Sequence, residues 1–370
     1  MTRTSFIARF TCIAVATSLT LAAAQRGNDP VSSASGLPVW SYSADTAIDG
    51  TTHMVGASPL FHGHGSTSIS TYLIPLVVTL SNGSVFDSTR PAACAATSDS
   101  AVDLIDKSPV FQSAPFIAAD TLGGNASDLG FTQYADAFQR GNFLKYLTPS
   151  PDTVLPYHTL LAASILPAVH VAVPARNGFA SDASARSACP FASVDYDWLR
   201  DNLIHKVLPS LAAQGVVPAA LPVFILSNVV MYPNGNPALC PGKACLEGRH
   251  GAYATASGAQ QTYIVANFDT TGQFEPDVAA LSREIAEWMV DPYGQGETSA
   301  QKDSAFSACA SAVEASRPDI NGQFSFVAPD GFTYHPTEIL FSSGAAATSL
   351  CQSPAPAESL RVLNASPQEQ

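Results

Sequence analysis

Charged residues are scarce in this chain of 370 residues: Asp, Glu, Lys and Arg together make up only 13% of it. Basic residues are the scarcer kind, since 17 Lys and Arg stand against 30 Asp and Glu, and the formal net charge is −13. Proteins that bind nucleic acid or an anionic membrane surface carry basic patches. The composition therefore argues against both of these partners.

Long apolar runs are missing as well, and none reaches the roughly 20 residues that a membrane-spanning helix needs. The run from Phe10 to Ala24 is shorter than that, follows two arginines and ends in three alanines. A basic start, a short apolar stretch and small residues before the cleavage point are the features of a secretory signal peptide. We therefore predict a signal peptide at residues 1–24 and a secreted, extracellular protein with no membrane span.

Cysteine is rare too: the chain has seven, of which Cys12 lies in the predicted signal peptide. The remaining six are an even number, and export favours disulfide bonds. A Pro-Gly turn between Cys240 and Cys245 favours a bond between these two, with the other four cysteines paired among themselves. The alternative is a zinc knuckle, which needs two further ligands, and only His250 is near in the sequence.

The chain shows no internal repeat and no glycine-rich phosphate-binding loop, and its composition divides it into five parts. A lead-in rich in Gly, Ser, Pro and Asp and a tail rich in Pro, Ala, Ser and Glu are predicted to be loosely ordered. Between them, short β-type runs come first and mixed helix and strand patterns follow. The predicted parts are the signal peptide 1–24, a flexible lead-in 25–66, a β-rich N-terminal region 67–150, an α+β domain 151–345 and a disordered tail 346–370.

The clearest helical pattern runs from Asp277 to Pro292. Apolar residues recur in it at spacings of three and four, which places them on one face of a helix. They are Val278, Leu281, Ile285, Trp288 and Met289. Two runs with buried-strand character, Leu221–Tyr232 and Gln261–Phe268, come before this helix, and together they predict an α+β fold with a mixed sheet.

The helix contains the segment Arg283-Glu284-Ile-Ala-Glu287, whose three charged residues lie on or beside the opposite face. This spacing is that of the zinc-peptidase motif H-E-x-x-H, in which the two histidines hold the metal and the glutamate is the general base. Because a guanidinium has no lone pair to give, Arg283 cannot replace the first histidine as a ligand. The pattern predicts a zinc-type helix that has lost its first ligand.

The segment from Glu284 to Pro292 resembles the H-E-[IVL]-[AG]-E-W-M-x-D-P helix of a group of secreted, mainly bacterial zinc-peptidase-like proteins. It is more distantly similar to the plant Exordium, or phosphate-induced, extracellular proteins. The resemblance extends from about Tyr72 to Phe341 and implies a zincin-like core, a mixed sheet plus the motif helix, preceded by a β-rich region. It also implies that Glu314 and Asp319 are remnants of an acidic segment of the site.

Two main functional hypotheses follow. In the first, the protein is a catalytically inactive extracellular binding or structural protein that needs no cofactor and whose partner is an extracellular protein or polysaccharide. Arg283 then supplies the positive charge of the lost ion and pairs with Glu287 and Glu314. In the second, it is an active zinc metallohydrolase or peptidase in which Glu284 is the general base. Its metal ligands would then be drawn from Glu287, Glu314 and a distant histidine, with His250 and His335 as the candidates.

Two other interpretations of the same helix remain. Glu284 and Glu287 are neighbours on a helix face, so they could form the carboxylate pair of a hydrolase. Alternatively, Arg283 and Glu287 could be an ordinary ion pair in solvent, which would stabilise the helix by only about 0.2–0.5 kcal/mol.

Overall fold

The computed structural model describes the chain in twelve segments. They are residues 36–43, 51–57, 66–91, 94–95, 97–119, 127–147, 157–181, 189–240, 245–294, 325–329, 331–336 and 359–362. Within them the protein is a mixed α+β structure in which sheets dominate. The predicted signal peptide lies outside these residues.

Seventeen strands and five helices make up the described secondary structure. The helices are α1 (Ala101–Lys107), α2 (Tyr134–Leu147), α3 (Tyr196–Asn202), α4 (Leu208–Leu211) and α5 (Ala279–Val290). The strands are β1 (Val39–Ser43), β2 (Thr51–Val55), β3 (Ser66–Leu80), β4 (Val85–Asp87), β5 (Ala114–Ala119), β6 (Ser127–Thr132), β7 (His158–Ile165), β8 (Val169–Val173), β9 (Gly178–Ser181), β10 (Phe191–Asp195), β11 (Leu221–Ser227), β12 (Val229–Tyr232), β13 (Gly248–Ala254), β14 (Gln260–Phe268), β15 (Phe326–Val327), β16 (Thr333–Tyr334) and β17 (Ser359–Val362).

The central sheet has seven strands in the order β13-β14-β11-β3-β4, with β7 and β8 also paired to β3. Strands β14, β11, β3, β7 and β8 run parallel, whereas β13 and β4 are antiparallel to their neighbours. The inner strands are apolar along most of their length because both faces of the sheet are covered.

Each face of the central sheet has its own hydrophobic core. Side chains that alternate along β3 and β11, such as Leu73 and Val223, face helices α2 and α5. Their neighbours Ile74 and Phe224 face α3, α4 and the π-helical turn Leu203–Val207 that joins these two helices. The sheet is therefore sandwiched between two helical layers, and α5 lies against one face.

Helix α5 is confirmed, and all five residues of its predicted apolar stripe are buried. It begins two residues later than the pattern predicted, because Asp277 adopts a left-handed backbone with φ of 38°. The Asp277 carboxylate accepts the backbone N–H of Val278 and of His335, which holds this turn in place. At the other end the helix stops at Val290, and Asp291, which precedes Pro292, has left the helical conformation.

The predicted strand Leu221–Tyr232 is two strands, β11 and β12, which belong to different sheets. Asn228 separates them with φ of 55°. Its side chain accepts the backbone N–H of Thr270, and Asn267 accepts that of Val229. Two asparagine side chains thus hold the backbone at the point where the chain leaves the central sheet for the three-stranded sheet β12-β10-β9.

The predicted flexible lead-in, 25–66, contains ordered structure, so the prediction is wrong for part of it. Strands β1 and β2 form an antiparallel hairpin, and Leu37, Trp40 and Met54 are buried. Strand β3 also starts inside this range, at Ser66. The apolar residues are few, but they are spaced so that most of them contribute to the core, which a compositional argument cannot detect.

Within the range predicted as a disordered tail, 346–370, the described residues Ser359–Val362 form β17, which pairs antiparallel with β5. The predicted boundary at residue 150, between the β-rich region and the α+β domain, runs through the central sheet. The central sheet takes β3 and β4 from the first region and its other strands from the second. Parallel strands need long crossover connections, which places distant segments side by side.

The disulfide between Cys240 and Cys245 is confirmed, and a second one joins Cys94 to Cys189. Cys309 and Cys351 lie outside the described residues. Among the helices that the structure describes, none is long and apolar enough to cross a membrane.

The two disulfides should differ in their effect on stability. They close loops with sequence separations of 95 and 5 residues, and the entropy that a cross-link removes from the unfolded chain grows with loop length. We expect replacement of Cys94 and Cys189 by serine to cost about 2–5 kcal/mol and to lower the melting temperature more than replacement of Cys240 and Cys245. Calorimetry of the two double variants, each of which keeps the other bond, measures this, and equal melting temperatures would contradict it.

Candidate functional site

Strand β13 lies at one edge of the central sheet and packs against helix α5. The two approach closely at Gly248, where a Cβ atom would lie 2.6 Å from the Cγ atom of Glu284 and 3.2 Å from the carbonyl oxygen of Ala280. His250 is two residues further along β13 and therefore on the same face of the strand. The missing side chain at position 248 lets His250 reach the polar face of α5.

Three potential metal ligands meet at this contact: His250, Glu284 and Glu287. The Nδ1 atom of His250 is 2.9 Å from Oε2 of Glu284 and 3.6 Å from Oε2 of Glu287. One donor atom from each residue lies within 4.8 Å of the other two. The sequence analysis named all three residues and offered His250 and His335 as alternative histidines, and the structure brings His250 to the two glutamates.

Burial and charge give the two carboxyl groups opposite character. Burial raises the pKa of Glu287 to about 7, and the neighbouring Glu284 adds to this. Burial would also raise the pKa of Glu284, but the hydrogen bond and positive charge of His250 lower it. For His250, burial favours the neutral ring, yet the interactions with Glu284 raise its pKa. The contact therefore favours the protonated ring of His250 and the ionised carboxylate of Glu284, whereas burial favours the protonated form of Glu287.

The main partner of Arg283 is Glu275 and not Glu287, so the predicted pair with Glu287 is wrong. Its Nη1 atom lies 2.5 Å from Oε1 of Glu275, and its Nε atom lies 3.8 Å from Oε1 of Glu284. Side chains on a helix lean toward the helix N-terminus, which directs Arg283 back to the segment before α5. The Arg283 and Glu275 side chains are 25% and 32% exposed, so this ion pair is half-buried. It differs from the alternative interpretation of Arg283, which was an ion pair with Glu287 in solvent.

A fourth glutamate, Glu247, adjoins the Arg283–Glu275 pair. The backbone N–H of Glu275 donates to its Oε2 atom at 2.7 Å. Burial raises the pKa of Glu247 to about 8, and the negative charge of Glu275 adds to this effect. Glu247 therefore keeps its proton at neutral pH in the folded protein.

The other predicted site residues are elsewhere. His335 contacts the start of α5, where its Nδ1 atom lies 2.6 Å from Oδ2 of Asp277, and it does not belong to the three-residue cluster. Glu314 and Asp319 lie outside the described residues. The zinc-knuckle alternative fails because the sulfur atoms of Cys240 and Cys245 are bonded to each other.

The carboxylate-pair hydrolase finds little support in this geometry. A glycosidase needs two carboxyl groups that both reach the substrate. The Glu284 side chain is only 4% exposed, and its two oxygens face His250 and Arg283. The arrangement favours cation binding over attack on a sugar.

Comparison with known proteins adds no assignment: no protein-family model, no curated protein and no solved structure matches this chain.

The raised pKa of Glu247 predicts a pH-dependent stability. The folded protein holds this proton with a pKa of about 8, against an ordinary value of 4.5, so the free energy of unfolding must fall as pH rises between these values. Glutamine at position 247 cannot ionise but keeps an oxygen for the Glu275 N–H. We expect Glu247→Gln to melt close to the wild type at acidic pH and to become progressively more stable than it as pH approaches 8. Melting curves at several pH values measure this, and a difference that stays constant with pH would contradict it.

Proposed function

We propose that this chain is a secreted extracellular protein with a metallopeptidase-like, zincin-type core that binds an extracellular protein or polysaccharide without hydrolysing it. One observation carries the proposal: Glu284, which occupies the position of the general base, is buried and bonded to His250.

Zinc-dependent hydrolysis needs three protein ligands, an open position for water and a base that reaches this water. Position 283 offers no ligand because Arg283 is engaged with Glu275. Glu284 has Oε2 hydrogen-bonded to His250, and its side chain is only 4% exposed, so the carboxylate is poorly placed to take a proton from a metal-bound water. The face that would be catalytic in an H-E-x-x-H protein is occupied by interactions within the chain.

Arg283 supports this proposal through its charge. It faces Glu275 and Glu284, and Glu247 is close enough to raise its pKa further. A guanidinium offers several fixed donors and a permanent positive charge, which suits it to hold neighbouring carboxylates together. This is the electrostatic role that a metal ion would otherwise have, although its main partner is Glu275 and not the predicted Glu287.

Export is supported by the two disulfides and by the predicted signal peptide. Disulfides persist in oxidising compartments and are rare in the cytosol. The excess of acidic residues is compatible with a polysaccharide or protein partner and argues against nucleic acid.

The second candidate function is an active zinc hydrolase, and a specific observation favours it. His250 lies 3.6 Å from Glu287, so the histidine missing from position 283 has a substitute on β13. For this function Glu284 would have to leave His250 and act as the base.

A hydrolysis assay separates the two candidates. We expect the full-length secreted protein, with or without added zinc, to hydrolyse fluorescent casein no faster than its Glu284→Gln variant, because Glu284 is not free to act as base. Circular dichroism confirms that the variant is folded. Zinc-dependent hydrolysis that is present in the wild type and lost in Glu284→Gln would overturn the inactive assignment.

The role of Arg283 is tested by stability. We expect Arg283→Ala to lower the free energy of unfolding, because the carboxylates that face Arg283 lose their cation. Loss of an exposed ion pair costs up to about 1 kcal/mol, and loss of one partner of a buried pair costs about 3–5 kcal/mol. The loss for this half-buried pair should lie between these values. Arg200→Ala is the matched control, since Arg200 is 40% exposed and pairs with Asp201, which is 59% exposed. Chemical denaturation of both variants measures the difference. An Arg283→Ala variant as stable as the wild type would refute the role.

A further inference from the structure

We infer that His250, Glu284 and Glu287 form a divalent-cation site that suits zinc, in which Glu284 is a ligand and not a general base. This set differs from the ligands that the H-E-x-x-H spacing implies, because it omits position 283 and adds a histidine from the edge strand. The inference stands independently of the proposed binding function.

The donor chemistry favours zinc over the hard cations. One imidazole nitrogen and two carboxylate oxygens are ligands that zinc accepts, whereas magnesium and calcium prefer oxygen alone. In catalytic and open sites zinc takes three protein ligands and keeps a fourth position for water.

The spacing of the donor atoms fits an ion of this size. Ligand atoms at about 2.0–2.2 Å from a tetrahedral zinc are about 3.3–3.6 Å from one another. Nδ1 of His250 lies 2.9 Å from Oε2 of Glu284 and 3.6 Å from Oε2 of Glu287. The second separation already lies in that range, and the first would need to widen by about 0.4 Å.

The three ligands are presented by rigid elements and are open on one side. Glu284 and Glu287 are one turn apart on α5, and His250 is fixed on β13 by the close approach at Gly248. Their side chains are 4%, 25% and 12% exposed in that order, so the entry side lies at Glu287. A cation can therefore reach the site without unfolding of the contact.

Glu287 interacts with His250 more weakly than Glu284 does. His250 satisfies Glu284 with a hydrogen bond, but at 3.6 Å it is beyond hydrogen-bonding distance of Glu287. Among the described residues, the Glu287 carboxylate accepts no hydrogen bond. The His250 ring thus hydrogen-bonds only one of two adjacent carboxylates, whereas a divalent cation could be coordinated by both.

Arg283 does not compete for this position. Its guanidinium is directed to Glu275, and it approaches Glu284 only on Oε1, the oxygen that faces away from His250. A bound cation would therefore connect α5 to β13 beside the Arg283 pair. Because both glutamates would be ligands, no carboxylate of this cluster would remain to activate the water.

The experiment is zinc titration of the full-length secreted protein after removal of metals with a chelator. We expect isothermal titration calorimetry with zinc chloride to show one site, and the melting temperature to rise with added zinc as binding to the folded state requires. Both His250→Gln and Glu287→Gln should weaken binding at least about tenfold, since each removes a ligand. His335→Gln, a histidine outside the cluster, is the matched control and should bind like the wild type.

No zinc binding by the wild type, or equal binding by all three variants, would overturn the site. Because a variant could fail to fold, X-ray absorption of the zinc-loaded wild type provides an independent measurement. A zinc ion with one imidazole and oxygen ligands supports the site, and sulfur ligands or several imidazoles refute it.

The hydrolysis assay distinguishes the cation site from the proposed function. Zinc binding without hydrolysis supports both proposals. Absence of both zinc binding and hydrolysis refutes only the cation site, and hydrolysis that depends on Glu284 refutes its role as a ligand.

Discussion

The approach of β13 to α5 at Gly248 is the contact on which the geometry of the site depends. A side chain at position 248 would collide with the Cγ atom of Glu284, so the strand could not lie so close to the helix. At the observed separation, His250 reaches Glu284 and lies beside Glu287. The hydrophobic stripe of α5 packs against the central sheet and so fixes the orientation of the helix. The polar residues of α5 are therefore held beside β13.

The charges of the site separate into two neighbouring pairs, and this division governs what each group can do. Arg283 and Glu275 form one pair, and His250 and Glu284 form the other. Glu247 and Glu287 adjoin these pairs as additional acids, and burial raises the pKa of both. At Glu247 and Glu287 a bound proton therefore neutralises negative charge that no basic residue fully neutralises. Metal cations compete with protons for carboxylates of this kind.

The sequence could predict those parts of the structure that depend on local periodicity. The stripe from Val278 to Met289 identified α5, and Cys240 and Cys245 were correctly paired across a turn. What it could not predict depends on contacts between distant segments. The spacing of Arg283 and Glu287 predicts an ion pair, but Arg283 leans toward the helix N-terminus and meets Glu275 instead. His250 joins the site only through the packing of β13 on α5. The burial of Leu37 and Met54 in the predicted lead-in likewise depends on the fold and not on local composition. The zincin-like character of the core remains a prediction.

The long central strand β3 has a consequence for how the protein folds. Ser66 in β3 faces His158 in β7, and Thr71 faces Leu221 in β11, so the strand is synthesised long before its partners. Pairing over such sequence distances makes folding slow, because the entropy of closing long loops must be lost before the contacts form. Until β11 has emerged, the Thr71–Pro75 edge of β3 that it covers is unpaired, and unpaired strand edges are prone to aggregate. A chain that is exported before it folds would therefore depend on holdase chaperones to keep this strand covered.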